Sequence, residues 1–298
     1  MAASDEMIAF IRIVDRGSFA SAADDLRVTP SALSKLVSRL EDRLGVRLLT
    51  RTTRRLALTP EGARYLERAR DILDLIEQAE ADAASASLRP KGQLRINSST
   101  GFARQTLLRA LPIFLARFPD VTVDLSLTDR LVDPVVDHAD IVLRGSPSAD
   151  SDLVVRKLAD GRRLICAAPS YLDRAGTPRK AEDLVGHACI ALSGQNPATT
   201  WPLQTAEGIV RFLPRGPFSC DQVGMLFDMA LAGNGIVRLA DFVVGQAVRE
   251  GRLVEILCDI NRSDPIALWA VMARGRFRLP RVQAFIDFME KGLQDGEW

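Results

Sequence analysis

The stretch that decides the fold is SFASAADDLRVTPSALSKLVSRLEDRLG at residues 18–45, which continues as VRLLTRTTRRLALTPEG at residues 46–62. Ser18 is a favourable N-cap, because its hydroxyl can accept a hydrogen bond from a free amide of the first helical turn. Thr29 and Pro30 begin a second helix, since threonine can cap it and proline at the first helical position needs no amide donor. The pattern predicts two short helices joined by a tight turn, followed by a basic hairpin.

Each predicted helix has an apolar face at helical spacing. These faces consist of Ala20, Ala23 and Leu26 in the first helix and of Leu33, Leu36, Val37, Leu40 and Leu44 in the second. Arg27 and Val28 form the turn, and Gly45 ends the second helix because glycine readily adopts a left-handed conformation. We expect residues 5–15 to form a further amphipathic helix that packs behind the pair, with Met7, Ile8, Ile11 and Val14 inward.

The other face of the second helix is polar and carries Ser31, Ser34, Lys35, Ser38 and Arg39. Short hydroxyl side chains let a helix approach a DNA major groove, where lysine and arginine reach phosphates or guanine edges. Eight basic and two acidic residues lie between positions 27 and 55, although the net charge of the whole chain is only +1. This concentration of charge predicts a DNA-binding surface. The alternative is an ordinary basic helix face in contact with solvent.

Residues 46–59 predict two short strands around an arginine-rich turn. Such a turn beside a recognition helix lies against the DNA backbone or enters the minor groove. The candidate DNA-binding residues are therefore Ser18, Thr29, Pro30, Ser31, Ser34, Lys35, Ser38, Arg39, Arg51, Thr53, Arg54 and Arg55.

This whole segment resembles the winged helix-turn-helix of the LysR-type transcriptional regulators. The resemblance rests on an ordered series of motifs from Ser18-Phe19 through Leu40-Glu41 and Leu44-Gly45 to the Arg51–Arg55 wing and the Leu58–Gly62 linker start. The chain departs from the family at Thr29-Pro30-Ser31-Ala32, where Ser-Gln-Pro-Ala or Ser-Gln-Ser-Ala is usual. That departure affects the expected base preference and leaves the prediction of double-stranded promoter DNA as a partner unchanged.

Residues 61–88 contain no proline and no glycine after Gly62, so they predict one long helix. Its apolar residues recur at three- and four-residue steps, as in a two-stranded coiled coil, namely at Leu66, Ala69, Leu73 and Ile76. We expect a homodimer through this helix, with two recognition helices on successive major-groove faces. The family resemblance implies a tetramer. The alternative is that the helix packs on its own chain.

Composition excludes several other classes of protein. The chain of 298 residues is 47% hydrophobic and 26% charged, which is ordinary for a globular protein of two or three domains. No apolar run approaches the ~20 residues of a membrane span, and the N-terminus lacks the features of a secretory signal. We therefore expect a cytoplasmic protein with no membrane partner. The widely spaced Cys166, Cys189, Cys220 and Cys258 are expected to be reduced core thiols, with redox sensing as the alternative.

From residue 93 onward, short strands alternate with helices, which argues for an open α/β fold. The predicted strands are residues 94–97, 121–127, 139–144, 162–168, 189–192, 208–213, 218–221, 235–239, 253–257 and 266–272. The predicted helices include residues 103–117, 240–250 and 280–293. An α/β unit of this size could be an enzyme, but no nucleophile elbow, phosphate-binding loop or dinucleotide fingerprint is present. An enzyme fused to a helix-turn-helix is therefore the disfavoured alternative, and no cofactor, metal or catalytic residue is predicted.

The resemblance implies instead a two-lobed α/β effector domain like a periplasmic binding protein. The expected domains are a winged helix-turn-helix at 1–60, a linker helix at 61–89 and an effector domain at 90–298. Lobe I would comprise residues 93–160 and 267–298, and lobe II residues 161–266. Clefts of this kind, at the ends of strands, are where α/β proteins bind ligands.

Polar residues at predicted strand ends supply the candidates for a small-molecule effector site. Hydroxyls and amides at Ser98–Thr100 suit a carboxylate, and Arg144 could bind an anion through two hydrogen bonds. The full set of candidates is Ser98, Ser99, Thr100, Phe102, Thr128, Arg144, Ser193, Asp221 and Arg238. Structural alternatives remain for three of them: a helix cap at Ser98–Thr100, an ion pair of Arg144 with Asp129 or Asp140, and a crossover role for Arg238. The resemblance favours an organic-acid effector.

Overall fold

The computed structural model describes residues 3–51, 56–83, 89–130, 132–134, 137, 139–145, 153–193, 200–262, 266–273 and 275–296. These residues form two compact units, Met1–Leu88 and Arg89–Trp298. Each unit has a hydrophobic core of its own.

The first unit contains four helices and a two-stranded hairpin in its described part. In chain order they are α1 (Ala3–Arg16), α2 (Phe19–Leu26), α3 (Pro30–Leu44), β1 (Leu49–Arg51), β2 (Leu56–Leu58) and α4 (Pro60–Ala83). The two predicted N-caps are confirmed: the hydroxyl of Ser18 accepts from the amide of Ser21, and that of Thr29 from the amide of Ala32. The left-handed residues Arg27 and Gly45 end α2 and α3, as the turn and glycine predictions require.

The core of this unit is built from α1, α2 and α3 and includes the start of α4. Phe10 and Ile13 are fully buried in α1, although the predicted inward face of this helix did not include them. In α2 the buried residues are Ala22 and Ala23, while Ala20 is exposed, so the predicted stripe was wrong at that position.

The long helix α4 differs from its prediction in the direction of its apolar residues. Leu66 and Ala69, which were predicted to lie at a coiled-coil seam, pack into the core of their own unit. Further along the helix, three large apolar residues of the described part are exposed, namely Ile72, Leu75 and Ile76. The physical reason is that the first turns of α4 cover α1 before the helix extends beyond the small domain. The end of the predicted helix, residues 84–88, lies outside the described residues.

The first lobe of the second unit is built around a five-stranded sheet. Its strands are β3 (Gly92–Ser98), β4 (Val121–Leu127), β5 (Ile141–Arg144), β6 (Leu153–Gly161) and β14 (Ile266–Ala273), in the order β4-β3-β5-β14-β6. Strands β3, β4 and β5 are parallel, and β14 is antiparallel to both of its neighbours. Helices α5 (Thr100–Phe102), α6 (Leu108–Arg117) and α10 (Pro280–Gln294) also belong to this lobe. Phe114 and Phe285 are fully buried in its core.

The second lobe lies between β6 and β14 in the chain. Its elements are β7 (Arg163–Ala167), α7 (Pro169–Ala175), β8 (Ala191–Leu192), β9 (Trp201–Thr205), β10 (Gly208–Phe212), β11 (Ser219–Cys220), α8 (Val223–Leu231), β12 (Val237–Ala240), α9 (Asp241–Arg249) and β13 (Val254–Glu255). Its central sheet has the order β12-β7-β13, with both outer strands antiparallel to β7. The chain therefore crosses between the lobes twice, after β6 and before β14.

Three features of the second unit were not predicted. No strand was expected at β6 or β9, although β6 pairs with β14 over its whole length. The helix predicted at residues 103–117 begins earlier and includes a π-helical turn at Ala103–Leu107 between α5 and α6.

None of the helices in the described part of the chain has the length and apolar content of a membrane span.

Candidate DNA-binding surface and interlobe site

The polar face of α3 is open to solvent. Ser31, Lys35 and Arg39 are exposed, and Ser34 and Ser38 are partly exposed. The capping residue Thr29 and the following Pro30 are also exposed, whereas Ser18 is partly exposed at the start of α2. The structure therefore brings the predicted residues of α3 together on one exposed face, which begins at its capped N-terminus.

The basic residues of this segment fall into two groups. Arg43 donates to Glu6 over 2.8 Å, and Arg47 donates to Glu41 over 2.8 Å, so both charges are compensated within the unit. Among the described residues, Lys35 and Arg39 have no acidic partner within salt-bridge distance. Lys35 and Arg39 are therefore available to an external anion.

Glu41 is a buried residue of α3 that supports this surface, and its role was not predicted from the sequence. Its side chain is 4% exposed, and one carboxylate oxygen accepts the amides of Leu48 at 2.8 Å and Leu49 at 3.1 Å. Burial alone would raise the pKa of Glu41. The hydrogen bonds from Leu49, Arg47 and Leu48 outweigh burial and hold this pKa below the ordinary glutamate value. A buried carboxylate thus attaches the first wing strand, β1, to the end of α3.

The tip of the wing falls outside the described residues. This applies to Thr53, Arg54 and Arg55, and for Arg51 the structure describes only the backbone. The base of the hairpin is an antiparallel pair in which Arg51 is opposite Leu56.

In the second unit, the two lobes meet at a hydrogen-bonded cluster around Asp129. The Asp129 carboxylate accepts the backbone amide of Thr100 at 3.2 Å and the hydroxyl of the same residue. It also accepts the amide of Val223, at the start of α8 in the second lobe, at 2.9 Å. The amide of Gly224 donates to the Thr100 hydroxyl at 2.9 Å. Thr100, Asp129 and the start of α8 therefore form one network across the lobes.

Other contacts support the same junction. Arg104, in the π-helical turn, forms an ion pair with Asp228 of α8, and the Thr106 hydroxyl donates to the carbonyl of Phe242. Gly101 lies so close to the second lobe that an added Cβ would be 2.6 Å from a methyl group of Val223. The π-helical turn thus directs Arg104 and Thr106 toward the second lobe, and such turns occur frequently at functional sites.

The predicted effector residues of the first lobe divide into exposed and buried ones. Ser99 and Thr128 are partly exposed beside this junction, and the amide of Thr128 donates to the carbonyl of Ser98. Ser98 and Phe102 are fully buried. The ring of Phe102 contacts the ring of Phe242, with 5.8 Å between centroids. Ser98 and Phe102 therefore belong to the lobe interior, and neither presents a surface to a ligand.

Arg144 ends β5 and is held by oxygen atoms of the first lobe. Its guanidinium donates to the side-chain oxygen of Asn97 and to the carbonyls of Leu143 and Arg130. No described carboxylate lies within salt-bridge distance, and the buried Nε has no hydrogen-bond partner there. Burial lowers the pKa of Arg144, while the charges of Asp129 and Asp137 act in the opposite direction. The ion pair with Asp129 or Asp140, which was the structural alternative for Arg144, is therefore not formed, and Asp140 pairs with Arg276 instead.

The candidates of the second lobe are only partly brought together. The amide of Ser193 donates to the carbonyl of Cys220, which places Ser193 beside Asp221 and the start of α8. Arg238 lies elsewhere, in the buried part of β12, where its Nε donates to Asn261 over 3.0 Å. It also donates to the carbonyl of Arg262, at the crossover to the first lobe. These contacts assign Arg238 to the crossover between the lobes, which was the structural alternative to a role in effector binding.

An open groove of about 480 Å³ lies elsewhere on the second lobe and contains none of the predicted residues. Its lining includes Glu182, Val185, Arg211 and Leu213.

Both units match known protein families. Residues 4–63 match the bacterial regulatory helix-turn-helix of the lysR family, and residues 87–294 match the LysR substrate binding domain. This chain belongs to the LysR family of transcriptional regulators.

Relatives in the LysR family match over almost the whole chain. The HTH-type transcriptional regulator CrgA of Neisseria meningitidis serogroup C is 34% identical over 291 residues, which cover 97% of each chain. The HTH-type transcriptional regulator DmlR of Escherichia coli K12 is 31% identical over 288 residues, covering 96% of this chain and 93% of DmlR. A solved structure of CrgA aligns with a TM-score of 0.66 at 33% identity, covering 98% of this chain and 99% of that one. The function is thus that of a LysR-type transcriptional regulator with an effector-binding domain.

The cysteines of this LysR-type regulator do not favour the redox alternative. Cys166 and Cys189 are buried, and burial raises the pKa of each thiol to about 12. Cys258 is exposed, but partial burial raises its pKa as well. Since the thiolate is the reactive form, these environments slow oxidation at neutral pH.

Proposed function

We propose that this LysR-type regulator recognises specific double-stranded promoter DNA through α3 and the wing, and that an organic acid bound between the two lobes modulates this activity. The observation that carries the DNA-binding part is the exposed face of α3. It combines small hydroxyl side chains with the uncompensated cations Lys35 and Arg39.

Each end of α3 has a feature that suits DNA binding. At its N-terminus, the exposed Thr29, Pro30 and Ser31 are small enough for the helix to approach base edges. At its C-terminus, Glu41 attaches the wing through hydrogen bonds to Leu48 and Leu49. The sequence predicts an arginine-rich wing after β1, and we propose that this wing contacts the sugar-phosphate backbone beside the groove. The residues proposed for this contact are Arg51, Thr53, Arg54 and Arg55.

Selection from a random duplex library tests this part of the proposal. The full chain should enrich a defined sequence, and Lys35→Ala should bind the enriched duplex at least tenfold more weakly. The control is Arg211→Ala, which removes an exposed cation from the second unit and should bind as wild type does. Absence of an enriched sequence, or equal binding by Lys35→Ala, would contradict the proposal.

We further propose a homodimer through α4. The family resemblance implies that such dimers assemble into a tetramer. The support is the exposed stripe of Ile72, Leu75 and Ile76, with Leu75 59% exposed. Residues at three- and four-residue spacing lie on one helix face, and a second copy of α4 would remove this face from water. The proposed seam lies further along the helix than the one predicted from the sequence and shares Ile76 with it.

The effector part of the proposal rests on the chemistry at the lobe junction. Ser99, Thr100, Thr128 and Arg144 lie at the carboxyl ends of β3, β4 and β5, and Ser193 and Asp221 lie on the second-lobe side. Arg144 is partly buried and forms no ion pair with a described carboxylate. A guanidinium binds carboxylates through geometrically matched hydrogen bonds. These features support an organic acid as the effector.

A thermal-shift screen with aromatic and aliphatic acids tests the effector part. A ligand that binds only the folded chain stabilises it by ~2.7 kcal/mol at a hundred times its dissociation constant. We expect at least one acid to raise the Tm of wild type and to have no effect on Arg144→Ala. A ligand that stabilises both proteins equally would contradict the assigned role of Arg144.

The remaining assignments follow from this function. A promoter-binding regulator acts in the compartment that holds the DNA, so we propose a cytoplasmic location. We propose no enzymatic activity, because the junction offers hydrogen-bond donors and a cation for binding and no assembled nucleophile and base among its described residues.

A further inference from the structure

The carboxylate of Asp129 occupies the polar centre of the lobe junction. It belongs to the loop after β4 in the first lobe, yet it accepts the amide of Val223 in the second lobe at 2.9 Å. It also accepts both the amide and the hydroxyl of Thr100. Three donors from two lobes therefore converge on one side-chain carboxylate.

The Thr100 hydroxyl extends this arrangement. It donates to Asp129 and accepts from the amide of Gly224 at 2.9 Å, so its orientation is fixed by both lobes. Four donors that an organic-acid effector could use are thus already paired within the chain, namely the amides of Thr100, Val223 and Gly224 and the hydroxyl of Thr100. Hydrogen bonds to a charged acceptor are stronger than those to a neutral one, so this contact favours the arrangement of the lobes seen in the structure.

The neighbouring groups show why a carboxylate is stable here. Arg144 binds the carbonyl of Arg130, next to Asp129, and its positive charge lies close enough to interact with the Asp129 carboxylate. The close packing of Gly101 on Val223 and Val243 leaves no room for a larger side chain at that position. Asp129 therefore lies at a tightly packed contact between the lobes, with a cation of the first lobe nearby.

We propose that Asp129 is an internal carboxylate ligand that joins the two lobes, and that a carboxylate effector must displace it to use the same donors. This inference rests on the proposed function for its regulatory meaning. Asp129 holds the lobes of the free chain in the observed arrangement, and an acid that replaces this carboxylate changes the placement of the lobes. A ligand shifts an equilibrium between arrangements only by its differential affinity for them, and competition with Asp129 provides such a difference.

Amide hydrogen exchange of the full-length protein tests the internal ligand without DNA or a known effector. In Asp129→Ala, the amides of Val223 and Gly224 should exchange at least tenfold faster than in wild type. Sodium formate, which supplies the carboxylate that alanine lacks, should restore protection, whereas sodium chloride at the same ionic strength should not. The control is Asp124→Ala, which removes an exposed carboxylate from β4 and should leave both amides protected.

Binding of formate tests the competition directly. Asp129→Ala should bind formate at least tenfold more tightly than wild type, because the internal carboxylate is gone. Asp129→Asn keeps the size of the side chain, so formate should not restore amide protection in this variant. It serves as the control for a folding defect of the alanine variant. Unchanged exchange in Asp129→Ala, or exchange that formate and chloride affect equally, would overturn the proposal.

These experiments distinguish a failure of the internal ligand from a failure of the proposed function. If formate restores protection but no organic acid stabilises the wild type, the internal ligand stands and the organic-acid effector fails. If an acid stabilises the wild type while the Val223 and Gly224 amides do not respond to Asp129→Ala, the effector stands and the internal ligand fails.

Discussion

The buried carboxylate of Glu41 accepts the backbone amide of Leu48 over 2.8 Å and so connects the end of α3 to the start of the wing. The same oxygen accepts the next amide, that of Leu49, and the second oxygen binds Arg47. A side chain from the recognition helix therefore satisfies backbone donors of the hairpin. We infer that the position of the wing depends on this residue.

Replacement of Glu41 should destabilise the first unit. Glu41→Ala leaves two buried amides without their acceptor, and the expected loss is about 2–3 kcal/mol. Glu41→Gln keeps one acceptor oxygen and should lose about 1 kcal/mol. Chemical denaturation measures both changes. The control Glu61→Gln alters an exposed carboxylate in a surface ion pair and should change stability by less than about 0.5 kcal/mol.

The contribution of Glu41 should also depend on pH. Its pKa in the folded chain is lowered, so its stabilising effect is fully present above the ordinary glutamate pKa of about 4.3. This effect is lost as the pH falls through the lower folded pKa. The stability difference between wild type and Glu41→Gln should therefore shrink below pH ~4. A difference that grows on acidification would contradict the assignment.

Gly62 should tolerate no side chain, because an added Cβ would lie 2.0 Å from the carbonyl oxygen of Leu48. Gly62→Ala should therefore cost about 3 kcal/mol, since the backbone of the wing has to move. Gly45→Ala provides a matched comparison in the same unit. Gly45 has a positive φ but no atom within 4 Å of an added Cβ, so only backbone strain of about 1 kcal/mol is expected. Equal losses in the two variants would contradict the steric explanation.

The helical part of the first unit was predictable because its signals are local. Ser18, Thr29 and Gly45 act on amides and carbonyls within one turn of themselves, and the structure has each of them in its expected role. The strand β6 was not predictable in this way. Its partner β14 follows more than a hundred residues later in the chain, so its pairing depends on the sheet and not on local pattern.

Prediction of the interlobe site from the sequence is limited in the same way. Arg144 and Thr100 could be proposed from the sequence because ligands in α/β folds bind at strand ends. Asp129 was considered only as an ion-pair partner for Arg144, since its contact with Val223 spans two lobes and leaves no trace in local spacing. Ser98 and Phe102 follow the same strand-end pattern, but the pattern does not reveal that packing buries them.

A charge in the exposed stripe of α4 should prevent dimer formation. Leu75→Glu places a carboxylate at the centre of the proposed contact, where two copies would bring like charges together without water. Sedimentation velocity should show a monomer for this variant. Val185→Glu changes an apolar residue that is 82% exposed on the second unit and should leave the oligomeric state unchanged. A Leu75→Glu protein that sediments like wild type would place the dimer contact elsewhere.

The thiols should react in the order of their exposure. Iodoacetamide at neutral pH should modify the exposed Cys258 and the partly exposed Cys220 in the folded chain. Cys166 and Cys189 should react only after unfolding, because both are buried and the pKa of each thiol is about 12. Mass spectrometry of alkylated peptides measures this directly. Rapid modification of Cys166 or Cys189 in the folded chain would revive the redox alternative.

The salt dependence of DNA binding by Lys35→Ala and Arg39→Ala tests the central claim most directly. The slope of the logarithm of affinity against the logarithm of salt concentration reports the number of phosphate charges that a protein neutralises. We predict that each variant binds the selected duplex more weakly, and that a variant which neutralises one phosphate fewer has a slope smaller by about one. Arg211→Ala should keep both the wild-type affinity and the wild-type slope. If Lys35→Ala and Arg39→Ala bind as Arg211→Ala does, the exposed face of α3 is not the DNA-binding surface.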